Sequence, residues 1–174
     1  MIIYRHHIAL CCISFILLVS YVHAHRPKVK IGSQAPDFTL YDERGIAHTL
    51  SSLRGNKIAL IFYPLNQTSG CTKELCSIRD GFADLQSAGI IVLGVNPGSQ
   101  ESHKEFKHEH HFPFPLLSDK GKKVAKAYGA KRPLGLPVRR ITVLIGHDGR
   151  VKAILYDVNV ADHAQEIIKS FNAA

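Results

Sequence analysis

The chain has no tryptophan and only four cysteines in its 174 residues. Cys11 and Cys12 sit in an apolar N-terminal run, so the body of the chain keeps only Cys71 and Cys76. In an oxidising compartment an isolated pair first suggests a structural disulfide. Its five-residue spacing is not the CxxC of a disulfide-exchange motif, and it does not by itself supply a four-ligand metal site. A stripe of one charge is also missing. The 22 basic and 14 acidic residues give +8, but the excess is scattered, with Lys122-Lys123 and Arg139-Arg140 as isolated pairs and no aromatics interleaved. That pattern argues against a nucleic-acid interface and leaves only a general attraction to anionic surfaces.

What is present describes one soluble domain. A hydrophobic fraction of 45% with 21% charged residues is that of a globular chain, and the length suits one well-cored domain rather than two. No internal repeat interrupts it. The N-terminus has its own pattern: Arg5, His6 and His7 precede an apolar run at residues 8–19, and Val22-His23-Ala24 supplies small residues before a cut. Basic, then apolar, then small is the layout of a secretory signal peptide cleaved after Ala24. The run is short of the about 20 residues a transmembrane helix needs, which places an uncleaved anchor second. Leu10 before Cys11 fits a lipoprotein signal poorly. The expectation is therefore a signal peptide at 1–24, a domain at 25–174, and an exported, periplasmic or secreted protein without stable membrane attachment.

Along that domain, residues 37–40 alternate as a strand and 42–45 read as a turn. The run 57–63, ending at Pro64, is a buried central strand. From Thr72 the apolar positions Leu75, Ile78, Phe82 and Leu85 predict a helix to about Ser87, stopped by Gly89. A second buried strand spans 90–95. A polar helix at 100–110, an extended piece at 113–117, a helix at 121–128 and a Pro/Gly-rich loop at 131–137 follow. A hairpin of 141–145 and 151–156 then leads to a helix capped by Asp162, with Ala164, Ile167, Ile168 and Phe171 on its apolar face. This order implies a thioredoxin-like α/β fold: a mixed central sheet flanked by helices.

The informative segment is residues 63–76, where a buried strand gives way to a helix carrying both cysteines. A thiol attacks as its thiolate, and Cys71 falls at the first helical turn, where unpaired N–H groups and the helix dipole favour an anion. Cys71-Thr72-Lys73-Glu74 has the outline of a capping box with sulfur in place of the serine hydroxyl. Thr68 can turn its hydroxyl toward the sulfur or cap the helix. Arg140, at the head of the strand 141–145, is the candidate cation, or else an ordinary surface arginine. On an intact α-helix, Cα atoms five residues apart lie about 8.6 Å from each other. A disulfide needs them within about 7 Å. A static Cys71–Cys76 bridge therefore conflicts with the helix, and joint use of both thiols requires its first turns to unwind.

Phe62-Tyr63-Pro64, followed by Thr68, Cys71, Thr72, Glu74 and Cys76, resembles the peroxiredoxins, in particular the branch called bacterioferritin comigratory protein or peroxiredoxin Q. The resemblance runs from about Ile31 to the C-terminus through Ser102-His103-Lys104, Phe114-Pro115-Leu116-Leu117-Ser118-Asp119, Tyr128-Gly129, Arg140-Ile141-Thr142 and Asp162-His163-Ala164. It implies a thiol peroxidase acting on hydrogen peroxide and organic hydroperoxides. Cys71 would be the peroxidatic cysteine and Cys76 the resolving one, joined in an intramolecular disulfide. Thr68 would hydrogen-bond the peroxide, Arg140 would stabilise thiolate and leaving oxygen, Pro64 would shield the thiol, and Glu74 would orient the arginine. Thioredoxin or a similar dithiol would recycle the enzyme, with no metal or organic cofactor, and a monomer or weak dimer would suffice. Ser69 stands where many members have proline, and the signal peptide is unusual for this branch.

Two other readings stay open at this point. His103, His108, His110 and His111 offer imidazoles at helical spacing for a metal ion, interleaved with Lys104, Lys107 and Glu109 as on a solvated helix. A secreted copper chaperone or a thiol–disulfide oxidoreductase would also use paired cysteines on this fold. Neither explains Thr68 or Arg140.

Overall fold

The computed structural model describes residues 29–174. The signal-peptide reading of 1–24 lies outside the described residues. The seven strands are β1 (Thr39–Tyr41), β2 (Ala47–Thr49), β3 (Lys57–Phe62), β4 (Ile90–Asn96), β5 (Leu116–Ser118), β6 (Ile141–Ile145) and β7 (Val151–Leu155). They form one sheet in the order β2-β1-β5-β4-β3-β6-β7. The pairs β3–β4 and β4–β5 run parallel, while β1–β2, β1–β5, β3–β6 and β6–β7 are antiparallel. The helices are α1 (Ser69–Asp80), α2 (Phe82–Ser87), α3 (Gln100–His110), α4 (Lys123–Ala127) and α5 (His163–Asn172). This is the expected mixed sheet of a thioredoxin-like fold.

Alternation along β3 explains how one strand serves two cores. Ile58, Leu60 and Phe62 point into a cluster with Val124, Ala125 and Tyr128 of the α4 region. Ala59 and Ile61 point to the other side, against Leu75, Ile78, Leu85, Phe106 and Ile167 of α1, α2, α3 and α5. A strand buried on both faces reads as a continuous apolar run, which is why β3 and β4 stand out in the sequence. Register then places the chemistry. Phe62 pairs with Ile141, so the chain leaving the end of β3 passes beside the residue that enters β6, Arg140.

Four expectations need correction. The helix predicted from 72 to 87 begins three residues earlier and breaks at Gly81 into α1 and α2. At this position α5 packs against the bare backbone: a Cβ on Gly81 would lie 2.5 Å from Cβ of Ala164 in α5. Strand β2 was missed because it is only three residues long, pairs with β1 alone and offers no alternation to read. The helix expected at 121–128 is trimmed to five residues, its start held by Asp119, whose carboxylate accepts from the N–H groups of Lys123 and Ala125 at 2.9 and 2.8 Å. Asp162 does occupy the N-cap of α5 but makes no capping bond with its side chain. Its backbone (φ −141, ψ 38) departs from the extended geometry that aims a cap side chain at the helix amides.

Candidate active site

The loop between β3 and α1 is anchored from below by Asn66, which is buried. Its carbonyl oxygen accepts from the Tyr63 hydroxyl at 2.9 Å and from Asn96 Nδ2 at 2.7 Å. Its Nδ2 donates to Ser102 Oγ at 2.8 Å and to His103 Nδ1 at 2.9 Å. His103 in turn reaches the Leu117 carbonyl through Nε2, 3.2 Å away. Burial pushes the His103 pKa down, so the ring is neutral, with Nε2 as donor and Nδ1 as acceptor. Burial, and then the charges of Cys71 and Glu43, hold the Tyr63 phenol proton in place well beyond the ordinary range, as a donor to Asn66 requires.

Loop and helix meet at Thr68, the N-cap residue, in an extended conformation (φ −90, ψ 141). Cys71 is therefore the third residue of α1 rather than its cap, and the capping-box outline drawn on Cys71 and Glu74 does not form. The Thr68 hydroxyl donates to the Leu65 carbonyl at 3.1 Å, which tightens the loop without touching the sulfur. Pro64 begins this loop, half-buried beside the end of β3. Cys71 itself is 1% exposed and packs among the core residues beneath α1. Its sulfur sits in the first turn, where helix N–H groups have no intrahelical acceptor.

Arg140 arrives from the neighbouring strand, immediately before β6. Its Nη2 donates to Cys71 Sγ at 3.3 Å, while Nη1 is paired with Glu74 Oε2. The fit is close: a Cβ on Gly70 would come within 3.4 Å of Nη2. Glu74 is wholly buried, one helical turn after Cys71. A buried carboxylate is costly unless paired, and here the guanidinium fork spans carboxylate and sulfur together. Three of the predicted residues, Cys71, Arg140 and Glu74, thus form one contact set. Thr68 and Pro64 shape the loop around it.

Cys76 stands apart. Among the described residues the two cysteines, Cys71 and Cys76, are free, and both lie within the intact α1, so the unwinding requirement holds there. Cys76 is half-buried along a groove between α1 and α5, with Lys73, Asp80, Asp162 and Gln165 beside it.

The histidine segment does not gather. His103 is committed to the core, whereas His108 and His111 lie at the outer end of α3 with ring centroids 6.3 Å apart. Among the described residues, no three His, Cys, Asp or Glu side chains form a metal-sized cluster. A copper-carrying thiol needs an open approach and a second soft ligand. Cys71 is instead enclosed and backed by a cation.

Sequence reasoning missed two residues of this neighbourhood. Asn66 gave no periodic or motif signal, because its role depends on Asn96, Ser102 and His103 arriving from elsewhere. His163, on the first turn of α5, is wholly buried with Nδ1 3.2 Å from Glu74 Oε1.

A thiol at a helix start beside an arginine, on a thioredoxin-like sheet, defines a class, and comparison with known proteins gives the same class. The AhpC/TSA family profile matches residues 31–154, and the chain belongs to this family. Within it the chain groups with the Bcp and Q branch of the peroxiredoxins. It is 38% identical over 146 residues to a putative peroxiredoxin bcp of Coxiella burnetii, covering 80% of this chain and 97% of that one. It is 44% identical over 119 residues to the chloroplastic peroxiredoxin Q of Oryza sativa subsp. japonica, covering 67% of this chain but 55% of that one. The crystal structure of peroxidoxin BcpB from Mycobacterium tuberculosis superposes with a TM-score of 0.78 at 31% identity, over 83% of this chain and 97% of that chain.

Proposed function

We propose that the protein is a thiol peroxidase that reduces hydrogen peroxide and organic hydroperoxides through Cys71, with Cys76 as the resolving thiol. The observation that carries the proposal is the contact of Arg140 Nη2 with Cys71 Sγ at the start of α1. Guanidinium and helix amides both favour negative charge on that sulfur, the form that attacks. The thiolate takes the terminal oxygen of the peroxide, the O–O bond breaks, and the departing alkoxide or hydroxide leaves as alcohol or water after gaining a proton. Arg140 is placed to stabilise the charge that develops on that oxygen. Thr68 and Pro64 line the loop over the sulfur, and Glu74 holds the guanidinium.

The sulfenic acid on Cys71 then condenses with Cys76, releasing water and forming the intramolecular disulfide. Unwinding the first turns of α1 brings the two together. A dithiol such as thioredoxin returns two electrons by exchange, entering at Cys76, the more exposed sulfur. The reaction closes within one chain, so a monomer or weak dimer is sufficient. Residues 1–24 direct export, which makes the donor a dithiol protein of the exported compartment. N-terminal sequencing of the exported protein, with His25 as the expected first residue, tests that part. For the chemistry, the reduced protein should consume peroxide rapidly, and Cys71→Ser should abolish the reaction. Retention of full turnover by that variant would remove the assignment.

A further inference from the structure

A wholly buried histidine and a wholly buried carboxylate face each other behind the reacting thiol. Glu74 Oε1 and His163 Nδ1 lie 3.2 Å apart, yet neither completes a well-aligned hydrogen bond to any group. The contacts around this pair are made. Glu74 Oε2 holds Arg140 Nη1, Arg140 Nη2 reaches Cys71 Sγ, and His163 Nε2 lies 3.0 Å from the Thr142 hydroxyl. Thr142 is itself buried, on β6 two residues beyond Arg140. The backbone supports the same junction. His163 N–H donates to Ser77 Oγ at 3.3 Å, and that hydroxyl donates to the Glu74 carbonyl at 2.9 Å.

We propose that His163 is a positioning residue for the reacting thiol: its Nδ1–H holds Glu74, and through Glu74 it fixes Arg140 against Cys71 and keeps the first turns of α1 wound. With Glu74 ionised opposite Arg140, one tautomer of His163 suits the network. Nδ1–H must point at the carboxylate, because a bare Nδ1 lone pair there would face a second lone pair in a site without water's screening. Nε2 then accepts from the Thr142 hydroxyl. Burial, with Arg140 adding to it and Glu166 opposing, lowers the His163 pKa to about 4, so the ring is neutral and one such tautomer serves at neutral pH.

Glu74 also ties this network to the unwinding step. It lies between Cys71 and Cys76 on α1, so bringing the two sulfurs together pulls Glu74 out of its slot between Arg140 and His163. Loosening Glu74 therefore has opposite effects on two successive steps. Oxidation of Cys71 slows because Arg140 is less well placed. Disulfide formation speeds up because the helix is held less tightly. A purely structural histidine would lower stability and move neither rate in this pattern.

The inference rests on the thiol-peroxidase reading above, and the test separates the two. Stopped-flow mixing of the reduced full chain with hydrogen peroxide resolves Cys71 oxidation from disulfide closure. His163→Asn keeps an amide donor near the place of Nδ1, whereas His163→Gln carries its amide out toward Nε2. His163→Leu carries no donor. The Asn variant should oxidise within about threefold of wild type, and Gln and Leu should be slower by about tenfold, the worth of one hydrogen bond to a charged group. In the latter two, disulfide closure should be faster than in wild type. Ile167→Val, on the same helix, should lower the melting temperature and change neither rate. If the Leu variant does not fold, the Asn against Gln comparison still decides. Equal oxidation rates in Asn and Gln would overturn the proposal. So would a ring nitrogen NMR spectrum of the reduced wild type showing neutral His163 protonated at Nε2. A wild type that does not oxidise at Cys71 would instead sink the peroxidase reading.

Discussion

Ser69→Pro isolates the unwinding step from the chemistry. Ser69 is the first residue of α1 and exposed, with Thr68 before it at φ −90 and ψ 141. A first helical residue has φ near that of proline, and its N–H has no intrahelical acceptor to lose. The ψ of Thr68 falls in the range the residue before a proline adopts. The folded helix therefore accepts proline without strain, and the substitution acts on the unwound chain by restricting it. Stabilisation of about 0.4–1 kcal/mol follows, a rise of roughly 1–4 °C in melting temperature for a domain of this size. The same restriction applies to the locally unwound state that joins Cys71 to Cys76. Disulfide closure should slow about two- to fivefold, the same free energy expressed as a rate. Oxidation of Cys71, which uses the wound helix, should be unchanged. Stopped-flow fluorescence or thiol quenching at timed intervals measures both steps, and calorimetry gives the melting temperature. Faster closure, or equal slowing of both steps, would refute the reasoning.

Arg140→Lys keeps the charge but loses the fork that spans Glu74 and Cys71, so peroxide reduction should fall roughly 10- to 100-fold, and second-order rate constants for peroxide consumption give the figure. Gly81→Ala forces a methyl against Ala164 and should cost about 1–3 kcal/mol in urea unfolding by overpacking the α1–α5 contact. The histidine behind the site also predicts a pH dependence of stability. His163 is held neutral down to about pH 4 in the folded chain, whereas an exposed histidine protonates near pH 6.5. The unfolded chain binds the extra proton between those values, so stability is full above about pH 6.5 and falls as the pH drops toward 4. Melting curves across that window should show the fall, and His163→Asn should make it shallower, with the buried His103 keeping part of it; an unchanged slope would remove His163 as a cause.

Much of this was legible in the sequence where local pattern and tertiary role coincide. Residues 57–63 read as a central strand, against an observed β3 of Lys57–Phe62, because burial on both faces leaves no polar alternation. Gln100–His110 read as a helix with its bounds intact, since Ser99 caps it, its side chain accepting from Ser102 N–H. Cys71, Arg140 and Glu74 were named together through family resemblance, and the geometry joins them. What escaped depended on partners distant in the chain. The need for glycine at position 81 is set by Ala164, more than eighty residues away, and no local signal carries that. His103 looked like part of a histidine run because helical spacing cannot tell an imidazole turned into the core from one in solvent. His163 looked like a register marker after Asp162, and only the packing of α5 on α1 brings it to Glu74.

The most direct test of the central claim is peptide mass mapping of the reduced protein after one equivalent of hydrogen peroxide. A bridge should join the peptides carrying Cys71 and Cys76, with a sulfenic acid on Cys71 in the Cys76→Ser variant and unreacted peroxide with Cys71→Ser. Peroxide consumed at the wild-type rate by Cys71→Ser, or oxidation of the wild type with both thiols left free, would contradict it.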